Sequence, residues 1–211
     1  MNREKFLTVG CVVAMLGVVA IAIAQEAKTA GAAGEAPQLP PGWTADDMKA
    51  MVDAATPGKM HEVLAKEAGT WQGKHQCWMP GSTEPMPGES TTTITPILDG
   101  RFTRIDVTGK MAMGPYTAVG FYGYDNVVQK FVCTWVDSMG TGMMQGEGEL
   151  SPDGKQITWK FTYNCPITKK PAVMRQIETV GDAKTKTLDM YGADPKTGKE
   201  FHMMKIEMTK K

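Results

Sequence analysis

From Thr70 onward, apolar and polar side chains alternate with a period of two, and short turn signals interrupt the alternation. The runs that carry it are 70–79, 90–98, 101–109, 117–124, 129–137, 142–150, 155–164, 172–180, 185–191 and 200–209. Between them stand Pro80-Gly81, Asp99-Gly100, Asp125-Asn126, Ser151-Pro152-Asp153-Gly154, Gly181-Asp182 and Thr197-Gly198. Period-two alternation marks a half-buried strand, and Asp-Gly between two such runs is a strong hairpin signal. About ten short strands joined by tight turns predict an antiparallel meander. A sheet of that size closes, because closure removes its exposed edges.

Upstream the period lengthens to that of a helix. In "TADDMKAMVDAA", Thr44 is the expected N-cap, with Asp46 and Asp47 in the first turn and Met48, Met51 and Val52 on one face. In "TPGKMHEVLAKEAG", Thr56 is the expected N-cap and Pro57 the first helical residue. Met60, Val63 and Leu64 form its apolar stripe, and Gly69 is a left-handed closing residue. The expected architecture is mainly β: two short helices over 44–68 and a closed antiparallel barrel over 69–211.

Strand parity sorts inward from outward side chains. In "TWQGKHQCWM", Gln72, Lys74 and Gln76 share one face, so Trp71, His75 and Cys77 point inward. In "FVCTWVD", Phe131, Cys133, Trp135 and Asp137 share a face, as do Ile157, Trp159, Phe161, Tyr163 and Cys165 in "QITWKFTYNC". Arg175 falls with Ile177, and His202 falls with Met204, Ile206 and Met208. The expected interior is therefore aromatic, methionine-rich and dotted with polar groups. An inward charge needs a partner, which suggests an Asp137–Arg175 pair.

The first 24 residues read as a signal peptide. Arg3 and Lys5 precede an apolar stretch from Leu7 to Ile23, and "AIA" places cleavage before Gln25. An uncleaved anchor is the competing reading. Residues 25–43, rich in Ala, Gly and Pro, read as a flexible linker. These features predict a periplasmic or secreted protein with no membrane contact once the signal is removed. Acidic and basic side chains number 23 each; losing Arg3, Lys5 and Glu4 leaves 21 basic and 22 acidic. A near-neutral chain without a basic block excludes nucleic acid as a partner. Cys77, Cys133 and Cys165 remain, so at least one is unpaired within the chain, and Cys77–Cys165 is the candidate disulfide.

Several segments resemble a known family. "GTWQG" at Gly69–Gly73 is similar to the Gly-x-Trp signature that opens the first strand of lipocalin-like, or calycin, barrels. In those barrels the Trp closes one end under a basic residue from the last strand, a part that Lys205, Lys210 or Lys211 would take here. "TPGKMHEVLAKEAGTWQG", "ILDGRF", "GFYGYDNVVQKFVCTWVDSMGTGMM" and "TGKEFHMMKIEMTKK" together resemble the bacterial domain-of-unknown-function 1579 family. The resemblance implies an exported calycin-like barrel and supplies no activity.

The stretch "WVDSMGTGMMQGEGEL" carries four glycines behind an acid. Gly140 and Gly142 suit a reversal with positive φ, and Gly146 and Gly148 a sharp coil or a close approach. No phosphate loop and no nucleophile elbow is present. Glu147 and Glu149, about 7 Å apart by strand rise, fit an outer, solvated face. No cofactor and no metal site is called for by a ligand motif. The favoured reading is a small apolar ligand held among Trp71, His75, Trp135, Asp137, Trp159, Arg175 and His202. The alternatives are an enzyme using Asp137 or His202 as general base, a haem or copper protein built on His202, Met204 and Met208, and a filled barrel with no pocket.

Overall fold

The computed structural model describes residues 39–211; the expected signal peptide at 1–24 and residues 25–38 of the expected 25–43 linker lie outside them. The chain divides into a unit ending at Thr56 and a unit spanning Pro57–Lys211. In the first, helix α1 covers Ala45–Ala55. Thr44 is its N-cap, as expected, and a capping box forms: Asp47 N–H donates to Thr44 Oγ1 at 3.2 Å, and Thr44 N–H donates back to Asp47 Oδ2 at 2.8 Å.

In the second unit, helix α2 covers Lys59–Ala65, later than its sequence suggests. Thr56 is not its N-cap, because the Thr56 hydroxyl donates to Val52 O at the end of α1, at 2.6 Å. Gly58 caps α2 instead, and its N–H donates to His61 Nδ1 at 3.0 Å. Gly69 has a positive φ of 129°, not as a helix cap but as the first residue of β1, where a Cβ would stand 2.8 Å from Lys210 Cε.

Ten strands follow: β1 (Gly69–Cys77), β2 (Met86–Ile97), β3 (Phe102–Met111), β4 (Gly114–Asp125), β5 (Lys130–Asp137), β6 (Met144–Leu150), β7 (Gln156–Asn164), β8 (Pro171–Asp182), β9 (Thr185–Ala193) and β10 (Glu200–Lys210). Each pairs antiparallel with the next, and β10 returns to β1, with Trp71 opposite Lys210 and Cys77 opposite Met204. The barrel is closed and has no free edge. At the Asp99-Gly100 turn, Leu98, Asp99 and Gly100 all take positive φ (51°, 55° and 80°).

The link from β5 to β6 needs no left-handed residue, so Gly140 and Gly142 do not take the positive φ expected of them. Side chains hold it instead. Met139 N–H donates to Asp137 Oδ1 at 2.9 Å, and Thr117 N–H donates to Ser138 Oγ at 3.1 Å. Gly146 and Gly148 allow a close approach, though of side chains and not of backbone. A Cβ on Gly148 would lie 2.8 Å from the Trp159 ring, and one on Gly146 would lie 2.5 Å from Cys133 Sγ.

Two apolar clusters line the inside. Leu64 of α2 packs with Tyr122, Phe131, Trp159 and Phe161, while Trp71, Ile94, Ile206 and Met208 form the second. His61 meets Tyr124 edge-on at 5.9 Å, so α2 lies over the β3–β4 side of one barrel end.

Candidate ligand cavity

A cavity of about 890 Å³ runs through the barrel. A densely packed interior leaves no void of that size, and small-molecule sites have volumes of this order. The cavity extends from Leu150, Gly154 and Ala183 at the helix end to Met79, Met113 and Met139 at the other. Those three methionines are 58%, 80% and 53% exposed, so the far end opens to solvent. Among the described residues, eleven of the chain's 17 methionines line the wall. Another hollow, on the outer face between Phe102, Phe121, Thr134 and Lys160, holds none of the seven candidate residues.

The helix end carries a buried charge cluster. Lys186 Nζ lies 2.8 Å from Glu178 Oε1 and also pairs with Glu67 Oε2. Burial opposes the charge on Lys186, but Glu178 and Glu67 outweigh it and hold the ammonium above its ordinary range. Burial works against Glu178 too, and Lys186 overrides it, so that carboxylate stays ionised. Burial and the neighbouring Glu178 push Glu67 up to about 7. One lysine between two carboxylates leaves one of them the proton-carrying member.

Indole groups frame this cluster. Trp71 Nε1–H donates to Glu67 O at 2.9 Å, and Trp159 Nε1–H to Glu178 Oε2 at 3.3 Å. Lys186 Nζ lies 5.0 Å from the Trp71 ring centre and Lys210 Nζ 5.3 Å from it. Lys210 thus supplies the last-strand cation over the Gly-x-Trp tryptophan, and Lys186 of β9 adds a second.

Midway along, His75 Nε2 and Ser90 Oγ share a hydrogen bond of 2.7 Å, while His75 Nδ1 is buried with no partner. Burial drops this imidazole to about 4, so it is neutral at ordinary pH. Thr92, Thr103 and Gln176 are the other buried polar groups on this stretch of wall.

Near the far end, Trp135 Nε1–H donates to Asp137 Oδ2 at 3.3 Å. Tyr116 stands beside them, its hydroxyl raised by burial and by the Asp137 charge. Asp137 thus lines the cavity while also fastening the β5–β6 link.

Of the seven residues singled out by sequence, Trp71, His75, Trp135 and Asp137 line the cavity. Trp159 points inward but is fully buried, enclosed by Tyr122, Phe131 and Phe161, so it is core and not wall. Arg175 is on the outer face. It pairs with Glu200 at 2.9 Å and lies over the Tyr191 ring at 4.3 Å, so the expected Asp137–Arg175 pair does not exist. On β8 the inward positions are Met174, Gln176 and Glu178, whose register partners on β7 are Phe161, Trp159 and Ile157. Parity fails there because this strand turns its polar side inward.

His202 is also outside. A bulge between His202 and Met204 breaks the β9–β10 register and sends both Met203 and Met204 to the cavity. His202 is sandwiched between Trp78 (4.7 Å) and Tyr191 (4.8 Å). Its Nε2 is 3.0 Å from Asp189 Oδ1 but off the axis of a hydrogen bond. Neither the general-base role nor the haem or copper ligand role imagined for His202 inside the barrel fits this placement.

Sequence reasoning passed over Glu67, Ser90, Tyr116, Glu178 and Lys186. Lys186 shares parity with the apolar Leu188 and Met190, which was the available signal. The three cysteines are free, so the Cys77–Cys165 pair is not made. Burial pushes the Cys133 thiol up to about 12. Among the described residues, no three His, Cys, Asp or Glu side chains converge as metal ligands, and no helix is long and apolar enough to cross a membrane.

A family model described as "Protein of unknown function (DUF1579)" matches residues 56–210. Among curated proteins, nothing matches. Rv2717c from M. tuberculosis superposes with a TM-score of 0.57 at 12% identity, over 74% of this chain and 99% of its own. The S-type phycobiliprotein lyase CPES from Guillardia theta gives a TM-score of 0.50 at 10% identity, over 76% and 96%. At such identities the likeness is one of fold.

Proposed function

The chain belongs to the DUF1579 family, whose description assigns no activity, and from its lumen we propose that it binds a small, uncharged, largely apolar molecule. The observation that carries this reading is the open cavity of about 890 Å³, walled by methionine, aromatic and aliphatic side chains. Charge narrows the class. The most buried cation on the wall among the described residues, Lys186, is already matched by carboxylates of Glu67 and Glu178. Further along the wall, His75 is neutral at ordinary pH. At Lys186 a ligand anion would meet a cation already neutralised and would lose its hydration, and Lys210, the second cation over Trp71, is only half-buried. An uncharged molecule loses little hydration and can use the His75–Ser90 pair as its polar contact. Binding, not turnover, is the reading this site favours: Asp137 is committed to Trp135 and Met139, and the Ser90–His75 pair has no third group on His75 Nδ1 to orient the imidazole as a base.

Titration with an uncharged, environment-sensitive naphthalene dye tests the proposal, with an otherwise similar sulfonated dye in parallel. The uncharged dye should brighten and saturate at one per chain, and the sulfonated one should bind at least about tenfold more weakly, the equivalent of about 1.4 kcal/mol. Val107, buried on the cavity wall, is the position at which to block the lumen. Val107→Trp should abolish dye binding while far-ultraviolet circular dichroism stays that of the parent. Equal binding by the two dyes, or dye binding unchanged by a folded Val107→Trp protein, overturns the reading.

A further inference from the structure

The far end of the cavity carries a second pattern, made of sulfur. Cys77 on β1 is the direct register partner of Met86 on β2 and of Met204 on β10, and Met204 is the partner of Met190 on β9. All four side chains line the cavity. They form an unbroken row of sulfur-bearing residues across four neighbouring strands. Strands lie about 4.8 Å apart, close to the span between two sulfurs on one metal ion. The methionine side chain has three rotatable bonds, so neighbours on this spacing can converge.

Two independent features extend the row. Met111 Sδ and His75 Cβ both lie within 3.3 Å of the point where Gly88 would carry a Cβ. Gly88 is the register partner of His75, so its missing side chain leaves room for a fifth sulfur over β2, beside the histidine. His75 itself is 5% exposed, lines the cavity, and has an Nδ1 that meets no donor or acceptor. An unpaired buried ring nitrogen costs stability unless something meets it.

Carboxylates are absent from the row, so a hard or borderline divalent ion finds no oxygen donors. Thioether, thiol and imidazole are the donors of a soft monovalent ion. We propose that Cys77, Met86, Met111 and Met204, with His75 behind them, form a binding site for Cu(I). Cys77 binds as thiolate and releases its proton to solvent, and the copper stays monovalent throughout. The site is distinct from the one around His202, which lies outside the barrel, and its occupation does not depend on the organic ligand proposed above.

The test is anaerobic titration of the reduced full-length protein with Cu(I) against a chromogenic Cu(I) chelator of known affinity. The protein should withdraw one equivalent of copper per chain. Met86→Leu/Met204→Leu keeps volume and removes two thioethers. It should weaken binding by more than about 100-fold, the upper end of what outer-shell changes at metal sites cost. Its thermal unfolding midpoint without copper should match the parent's. A Cys165→Ser protein should retain the copper, because Cys165 stands in the link from β7 to β8 and lines none of the cavity. Copper-edge absorption spectroscopy should show a shell dominated by sulfur. Copper left entirely on the chelator, affinity unchanged by the double leucine substitution, or loss of binding in Cys165→Ser would each overturn the proposal. The dye titration described above is read separately, so failure of either leaves the other standing.

Discussion

Gly142 and Gly148 lie six residues apart and face different constraints. A Cβ on Gly142 meets nothing within 4 Å, and its φ is not in the left-handed region. A Cβ on Gly148 would press at 2.8 Å on the ring of Trp159, which is fully buried and has nowhere to move. Gly142→Ala should therefore leave stability within about 0.5 kcal/mol of the parent. Gly148→Ala should cost about 1–3 kcal/mol, the usual penalty of overpacking. Urea unfolding of the two proteins side by side checks this, and equal midpoints would show that the ring can retreat. Asp137 shows a residue with two tasks. Its carboxylate accepts the Met139 N–H that holds the β5–β6 link, and the same group borders the lumen beside Trp135.

Among the elements, β8, β9 and the link from α2 to β1 together carry the least expected feature, a three-membered ion cluster in an otherwise greasy lumen. Taking away its cation strands Glu178 between Trp159 and the apolar wall. Lys186→Met should cost about 3–5 kcal/mol by chemical denaturation. Replacing the set together, as Glu67→Met/Lys186→Met/Glu178→Gln, should recover most of that loss, since Gln keeps an acceptor for the Trp159 indole. A triple variant no better than Lys186→Met would mean that the charges themselves are needed.

The ten strands were legible because most have one wet face. In β7, Thr158, Lys160 and Thr162 face out and Ile157, Trp159 and Phe161 face in, so parity has one solution. β8 defeats that logic, because Gln176 and Glu178 face in while Val173 is half exposed. The pattern assigns Arg175 to the interior for want of the information that Lys186, on the next strand, is there to pair with an inward Glu178. His202 was lost to a single extra residue at a bulge, which no periodicity announces. The cavity followed from neither pattern, since alternation tells which side chains face in and not whether they fill the space.

For the whole molecule, two buried groups pull the pH dependence of stability in opposite directions. Glu67 keeps its proton in the folded protein up to about 7, against 4.5 for an ordinary glutamate, so stability falls as pH rises between those values. His75 resists protonation down to about 4, against 6.5, so stability falls as pH drops between 6.5 and 4. Each contributes a limiting slope of about 1.4 kcal/mol per pH unit, and between 4.5 and 6.5 they offset one another. The parent should therefore be nearly flat there with respect to these groups. Glu67→Gln removes one side of the balance, and its unfolding free energy relative to the parent should climb from pH 4.5 to 7. A parallel pair of curves across that range would show that Glu67 titrates normally.

The lumen that joins these features is not the same at its two ends. One is bordered by an ion cluster under indole rings, the other by thioethers with a thiol among them. A rod-shaped guest with unlike tips would therefore be threaded one way round, and a guest with identical tips would be seated in both senses. The cavity has a heading, and whatever occupies it inherits that heading.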